Sequence, residues 1–213
     1  VGLGNTTDRI HNTGVARLHV KPGGGQLRLY FGYTNDLEHY DQKLQRSQNW
    51  LEHVANFDWE LEFLPSTAVF MRNTFGYRDY WQYNKADNPP DGVSTTNTKS
   101  PNAMPFRTMV GIMGRISSRF LLNISAGYGN SFSKNFQDFN SAIAKAEVTA
   151  QFTERTALKV GFERDFSPVT TYSFTVDNKI YMEFKQWLLR DSLKLYFYGS
   201  YNFIQYGAPD KGI

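Results

Sequence analysis

The residues best suited to acid–base chemistry in this 213-residue chain stand close together: Asp36, Glu38, His39 and Asp41. A histidine beside carboxylates has the makings of a general base with an orienting partner. Set in a polar stretch after a strand-like pattern, the same residues read as solvated loop, so no catalytic role is assigned to them and no enzymatic activity is expected. The other histidines, His11, His19 and His53, show no metal-ligand spacing. Gly23, Gly24 and Gly25 follow one strand pattern and lead into another, so they read as a hairpin turn rather than a phosphate cradle. Asp87 and Asp91 lie in a polar stretch that lacks a calcium-loop pattern. With no cysteine, disulfides, thiolate metal sites, thiol catalysis and covalently attached haem are excluded. No cofactor is expected.

The remaining polar chemistry is spread along the chain in a regular way. Lys and Arg number 23 against 20 Asp and Glu, a formal charge of +3, too small an excess to argue for nucleic acid. What matters is spacing: the charges recur at every second residue. Leu158, Val160 and Phe162 alternate with Lys159, Gly161 and Glu163; Leu193, Leu195 and Phe197 alternate with Lys194, Tyr196 and Tyr198. Alternation of this kind specifies a β-strand with one apolar and one polar face. It recurs about ten times, over residues 14–21, 25–34, 49–63, 67–84, 105–117, 119–132, 139–153, 155–166, 169–188 and 192–206. Only the stretch from Asp36 to Trp50, with Leu37, Tyr40 and Leu44, approaches a helical period.

Parity sorts the side chains into two sets. The polar face receives Arg17, Lys21, Arg28, Arg72, Arg78, Arg107, Arg115, Lys145, Lys159, Lys179, Lys185 and Lys194. Glu52, Asp58, Glu60, Glu62, Glu147, Glu163, Asp177 and Glu183 share it, with Tyr196 and Tyr198. Tyrosines there could stack on sugar rings, and the bases could bond sugar hydroxyls and attract acidic sugars. The apolar face receives residues such as Val69, Met71, Phe75, Tyr77 and Trp81. His53, Asn73 and Asn178 misfit on that face, and a register shift or bulge near them is expected to restore the pattern.

Two features favour a bilayer over a soluble sandwich. Several strands exceed the ~9–11 residues a tilted spanning strand needs. Aromatics make up 16% of the chain and gather near strand ends: Tyr77, Tyr80, Trp81 and Tyr83 at one edge, Trp59, Phe63 and Phe152 at the other. Tight turns at Pro22-Gly23-Gly24, Pro65-Ser66, Ser117-Ser118, Thr153-Glu154 and Arg190-Asp191 fall on one edge, and long links at 35–48 and 85–104 on the other. Short turns opposite long loops are the asymmetry of outer-membrane barrels. The expected fold is therefore all-β: a transmembrane antiparallel up-and-down β-barrel, 1–213 as a single domain. Both ends fall on the long-loop edge and no leader-like segment is seen, so these strands are expected to be an interior section of a larger barrel.

Several segments carry a family likeness: Ala126-Gly127-Tyr128-Gly129 closing a strand, Phe152-Thr153-Glu154-Arg155-Thr156 as a turn, Gly161-Phe162-Glu163-Arg164-Asp165-Phe166, and upstream Leu64-Pro65-Ser66-Thr67-Ala68 and Gly76-Tyr77-Arg78-Asp79-Tyr80. In these the chain resembles the β-barrel porin 2 family of outer-membrane proteins. The resemblance implies a barrel in the outer membrane of a Gram-negative bacterium, serving exopolysaccharide or capsule export. Its implied partners are outer-membrane lipid, periplasmic polysaccharide-export or other envelope proteins, and further strands or subunits that complete the barrel. The family pattern supplies no catalytic residues. A general diffusion porin and a barrel sheathing a multihaem cytochrome conduit are the alternative readings.

Overall fold

Alternating side chains need an element that sends successive residues to opposite sides, and the described residues build almost nothing else. In this computed structural model, residues 8–41, 48–81, 102–133, 138–168, 174–189 and 192–207 are described. They form ten strands: β1 (Arg9–Val20), β2 (Leu27–Tyr40), β3 (Trp50–Leu64), β4 (Thr67–Asp79), β5 (Phe106–Arg115), β6 (Phe120–Asn130), β7 (Asn140–Thr153), β8 (Thr156–Pro168), β9 (Phe174–Leu188) and β10 (Leu193–Tyr206). Each pairs antiparallel with its sequence neighbour, giving one up-and-down sheet in the order β1 to β10. Among the described residues β1 pairs only with β2 and β10 only with β9, so the sheet is open.

The tight links meet at one edge. Gly23, Gly24 and Gly25 all take positive φ, 61°, 97° and 98°, which lets the short link between Val20 and Leu27 reverse the chain. Ser66 turns β3 into β4 at φ 65°. The two ladder irregularities, at Glu62/Leu64 and Gln151/Thr153, sit beside such turns.

Three boundaries differ from the sequence reading. β1 starts at Arg9 rather than at residue 14, and β2 runs on through residues 35–40, which were expected to open a long loop. Asp36, Glu38 and His39 are therefore strand residues, and residues 36–40 are not helical. The local pattern is weak there because both faces carry polar groups. Cross-strand partners decide it: Thr13 donates to Asp36 at 2.9 Å and Arg9 to Glu38 at 3.0 Å. β4 ends at Asp79, leaving Tyr80 and Trp81 beyond the strand. Tyr83, Asp87, Asp91 and most of the 85–104 link lie outside the described residues. From the end of that link, Ala103 bridges Arg78 and Ser133, extending the sheet beyond β5 at the long-loop edge.

His53, Asn73 and Asn178 occupy the apolar face without a bulge. Each finds partners on its own face, so the register has no reason to shift. His53 Nδ1 is 2.6 Å from the Tyr33 hydroxyl. Asn73 donates to the Phe57 carbonyl at 3.0 Å and accepts from Thr108 at 2.9 Å. Asn178 accepts from Arg164 at 2.7 Å.

Candidate functional site: the polar face

The register can be followed strand by strand across the sheet. Arg28 of β2 stands opposite Glu60 of β3, then Phe70 of β4, Gly111 of β5, Ser125 of β6, Lys145 of β7, Glu163 of β8, Lys179 of β9 and Asn202 of β10. Every second residue from that row shares its side of the sheet. Arg17 joins through its pairing with Gly32, and Arg72 and Arg78 through Asp58 and Glu52. Arg107 and Arg115 lie on the same parity of β5 as Gly111, and Glu147 on that of Lys145. Lys159 faces Glu183, Asp177 faces Ile204, Lys185 faces Tyr196, Glu183 faces Tyr198, and Lys194 faces Trp187. All the polar positions expected from β1, β2, β4, β5 and β7 to β10 thus occupy one face; Lys21 lies beyond the end of β1.

On that face charges pair across neighbouring strands rather than pointing freely away. Arg28 bridges Glu60 and Glu62 at 2.8 and 2.7 Å, and Arg78 bonds Glu52 at 2.6 Å. Lys145 is 3.6 Å from Glu163 and Lys159 is 3.6 Å from Glu147, while Lys185 pairs with Glu183 within its own strand. Arg72 lies over the Phe70 ring at 4.4 Å, opposite Asp58. The field of the face is therefore locally neutralised, which weakens the expectation that its bases attract acidic sugars as a block. Five of the bases expected on this face and lying in the strands form no ion pair among the described residues: Arg17, Arg72, Arg115, Lys179 and Lys194. The two lysines lie beside aromatic rings instead, Lys179 at 5.8 Å from Tyr181 and 5.9 Å from Tyr198, Lys194 at 5.3 Å from Trp187 and 5.9 Å from Tyr196. Tyr181 and Trp187 were missed in the sequence, although the same parity count that found Tyr196 reaches both.

Two clefts open towards the tight-turn half of this face. One of about 530 Å³ is lined by Arg28, Glu60, Arg115, Asn123, Glu147 and Thr149 among others. The other, about 540 Å³, includes Arg17, His19, Tyr30, Asn56, Asp58 and Arg72.

The histidine-and-carboxylate cluster takes a different form from the one its spacing suggested. Glu38 is 3% exposed and is held by Arg9 and by His11 Nδ1 at 2.9 Å. His39 contacts Asn49 at 3.1 Å, while its ring stacks on Trp81 with centroids 6.4 Å apart. Thr13 lies 3.2 Å from His11 Nε2, but its hydroxyl hydrogen is donated to Asp36. With that hydrogen engaged, the geometry is a polar clip between β1 and β2. No group of three or more His, Asp or Glu that could hold a metal occurs among the described residues.

At the long-loop edge the polar face carries an apolar cover. Phe139, Ile143, Phe166 and Val176 are buried together, with Met109 and Phe174 against them. Beyond β4, the buried Tyr80 phenol is pushed up by its desolvation, against the lowering pull of Arg78. Comparison of the chain with family models, curated proteins and solved structures returned no match.

Proposed function

We propose that these strands are a section of an outer-membrane β-barrel that forms or braces a hydrophilic passage in the export of a polysaccharide. One observation carries the reading: the face opposite the polar row carries exposed apolar side chains on every strand followed from β1 to β10, interrupted by a few polar residues such as His53, Asn73, Arg164 and Asn178. Leu18, Phe31, Phe75, Val110, Val160, Phe162, Ile180 and Phe197 all lie on it, each exposed by more than a third. A contiguous apolar surface of that extent on a protein needs a covering phase, and a bilayer supplies one. The charged face then borders the passage.

The open edges fit the same reading. Among the described residues, β1 and β10 each leave a row of backbone donors and acceptors without a ladder partner, which hydrocarbon does not tolerate. Further strands therefore continue the sheet on both sides. Tyr196, Tyr198, Tyr181 and Trp187, interleaved with lysines, offer ring faces and donors to a polyhydroxylated chain, and periplasmic export proteins would deliver it. Paired charges on the same face suit a hydrated neutral or mixed polymer. The family likeness supports polysaccharide over small solutes in general.

The decisive experiment uses the full-length protein in its native envelope. A lipid-confined photoreactive probe should label Leu158→Cys and Phe197→Cys and leave Lys159→Cys untouched, while a water-soluble thiol reagent gives the reverse. Loss of the protein should lower the surface polysaccharide. Equal labelling of both faces by the water-soluble reagent would overturn the membrane assignment, and unchanged polysaccharide would overturn the export role.

A further inference from the structure

We propose that the end of the β8–β9 ribbon is a built-in constriction that sets the size limit of what crosses the polar face, with Arg107 as its latch. This rests on the reading of that face as the wall of a passage. The placement of the ribbon itself does not.

Pairing of β7 with β8 reaches Ala144 and Arg164 at the long-loop edge and goes no further, whereas β8 and β9 stay paired to Pro168 and Phe174. Beyond Arg164, β8 and β9, with β10 still paired to β9 as far as Thr175 and Tyr206, are thus free to turn away from β7. Phe162 and Phe166 lie on the same side of β8, four residues apart. Yet Phe162 is 37% exposed on the apolar face and Phe166 is 1% exposed. The Phe166 ring stacks on Phe139 with centroids 4.3 Å apart and packs in one cluster with Ile143, which belongs to the polar face. It also fills the space over Gly129, where a Cβ would come within 2.5 Å of it. The ribbon has turned its apolar side inwards, onto the polar side of β5 to β7.

Two arginines hold it there. Arg107 of β5 lies 4.2 Å over the Phe166 ring, donates to Asp165 at 2.9 Å and donates to the Phe166 carbonyl. Arg78 of β4 donates to the Pro168 carbonyl at 3.2 Å. In a flat sheet β4 and β8 would stand four strand spacings apart, about 19 Å. Their contact shows that the ribbon end reaches across the intervening strands. Arg78 and Arg107 therefore act as anchors of the protein on itself, and the space beside them is narrowed by Phe166 and Val176.

The test uses full-length protein reconstituted in planar bilayers and in liposomes. Arg107→Gln combined with Phe166→Ser should raise single-channel conductance at least twofold and admit larger oligosaccharides in a swelling assay; Asp165→Asn, a milder release, should shift both in the same direction. Because the chain has no cysteine, Ile143→Cys with Val176→Cys can be joined by a thiol oxidant or a short bis-maleimide, and the joined protein should keep the unmodified conductance. Failure to join would overturn the ribbon's placement. Joining, with conductance and size limit unchanged on release, would overturn the constriction and leave the passage standing. No conductance in any form, joined or released, would overturn the passage reading and the constriction with it.

Discussion

Tyr181 of β9 reaches across the width of β8 to donate its phenolic hydrogen to Glu147 of β7, at 2.7 Å, passing over Gly161. A Cβ on Gly161 would lie 2.2 Å from the tyrosine Cζ, so the missing side chain is what lets the ring cross. One glycine thus permits a bond between two strands that share no ladder.

Gly161→Ala should force the ring aside and cost about as much as Tyr181→Phe, roughly 1.5–3 kcal/mol for a bond to a charged acceptor. The double variant should cost clearly less than the sum, since both substitutions remove the same interaction. Urea titration of the protein folded into lipid vesicles measures all three.

Phe162→Arg should destabilise the folded protein by about 2–4 kcal/mol if that position lies near the bilayer midplane. Lys159→Arg, on the opposite face of the same strand, should change stability little. The same vesicle assay separates the two faces, and equal effects would contradict the assignment of sides.

Asn73→Leu should be harmful although it places an apolar residue on the apolar face. It strips Thr108 of its acceptor and leaves that hydroxyl unsatisfied, a penalty of about 1–3 kcal/mol. Adding Thr108→Val should recover most of the loss. A double-mutant cycle reads the recovery directly.

Arg72→Glu with Arg115→Glu should reverse or weaken ion selectivity in bilayer recordings while leaving the protein folded and heat-modifiable on gels. Arg115 lines the cleft at the tight-turn edge and Arg72 the neighbouring one, so the proposed passage would run past both charges. Unchanged selectivity would remove them from the passage.

In the full-length protein, amides of β1 and β10 should exchange as slowly as those of the interior β5. Hydrogen-exchange mass spectrometry in native envelopes would detect the strands that cover both edges. Fast exchange along either edge would contradict continuation of the sheet.

Strand number, the division into two faces and the alternation of tight and long links were all legible in the residues, because period two, glycine-rich turns and polar links are local properties. So was the side on which Arg28, Lys145 and Tyr198 fall. Less legible were the first residues of β1 and the end of β2, where Asp36 and Glu38 become strand only because Thr13 and Arg9 meet them. Folding alone settled that His53 and Asn73 stay on the apolar side, since their partners come from other strands. It also turned Phe166 inwards: parity assigns it to the same side as Phe162, and only the parting of β8 from β7, with Arg107 waiting on β5, reverses its surroundings. Alternation along a strand follows from backbone geometry, whereas curvature and cross-sheet contacts depend on residues far apart in the chain.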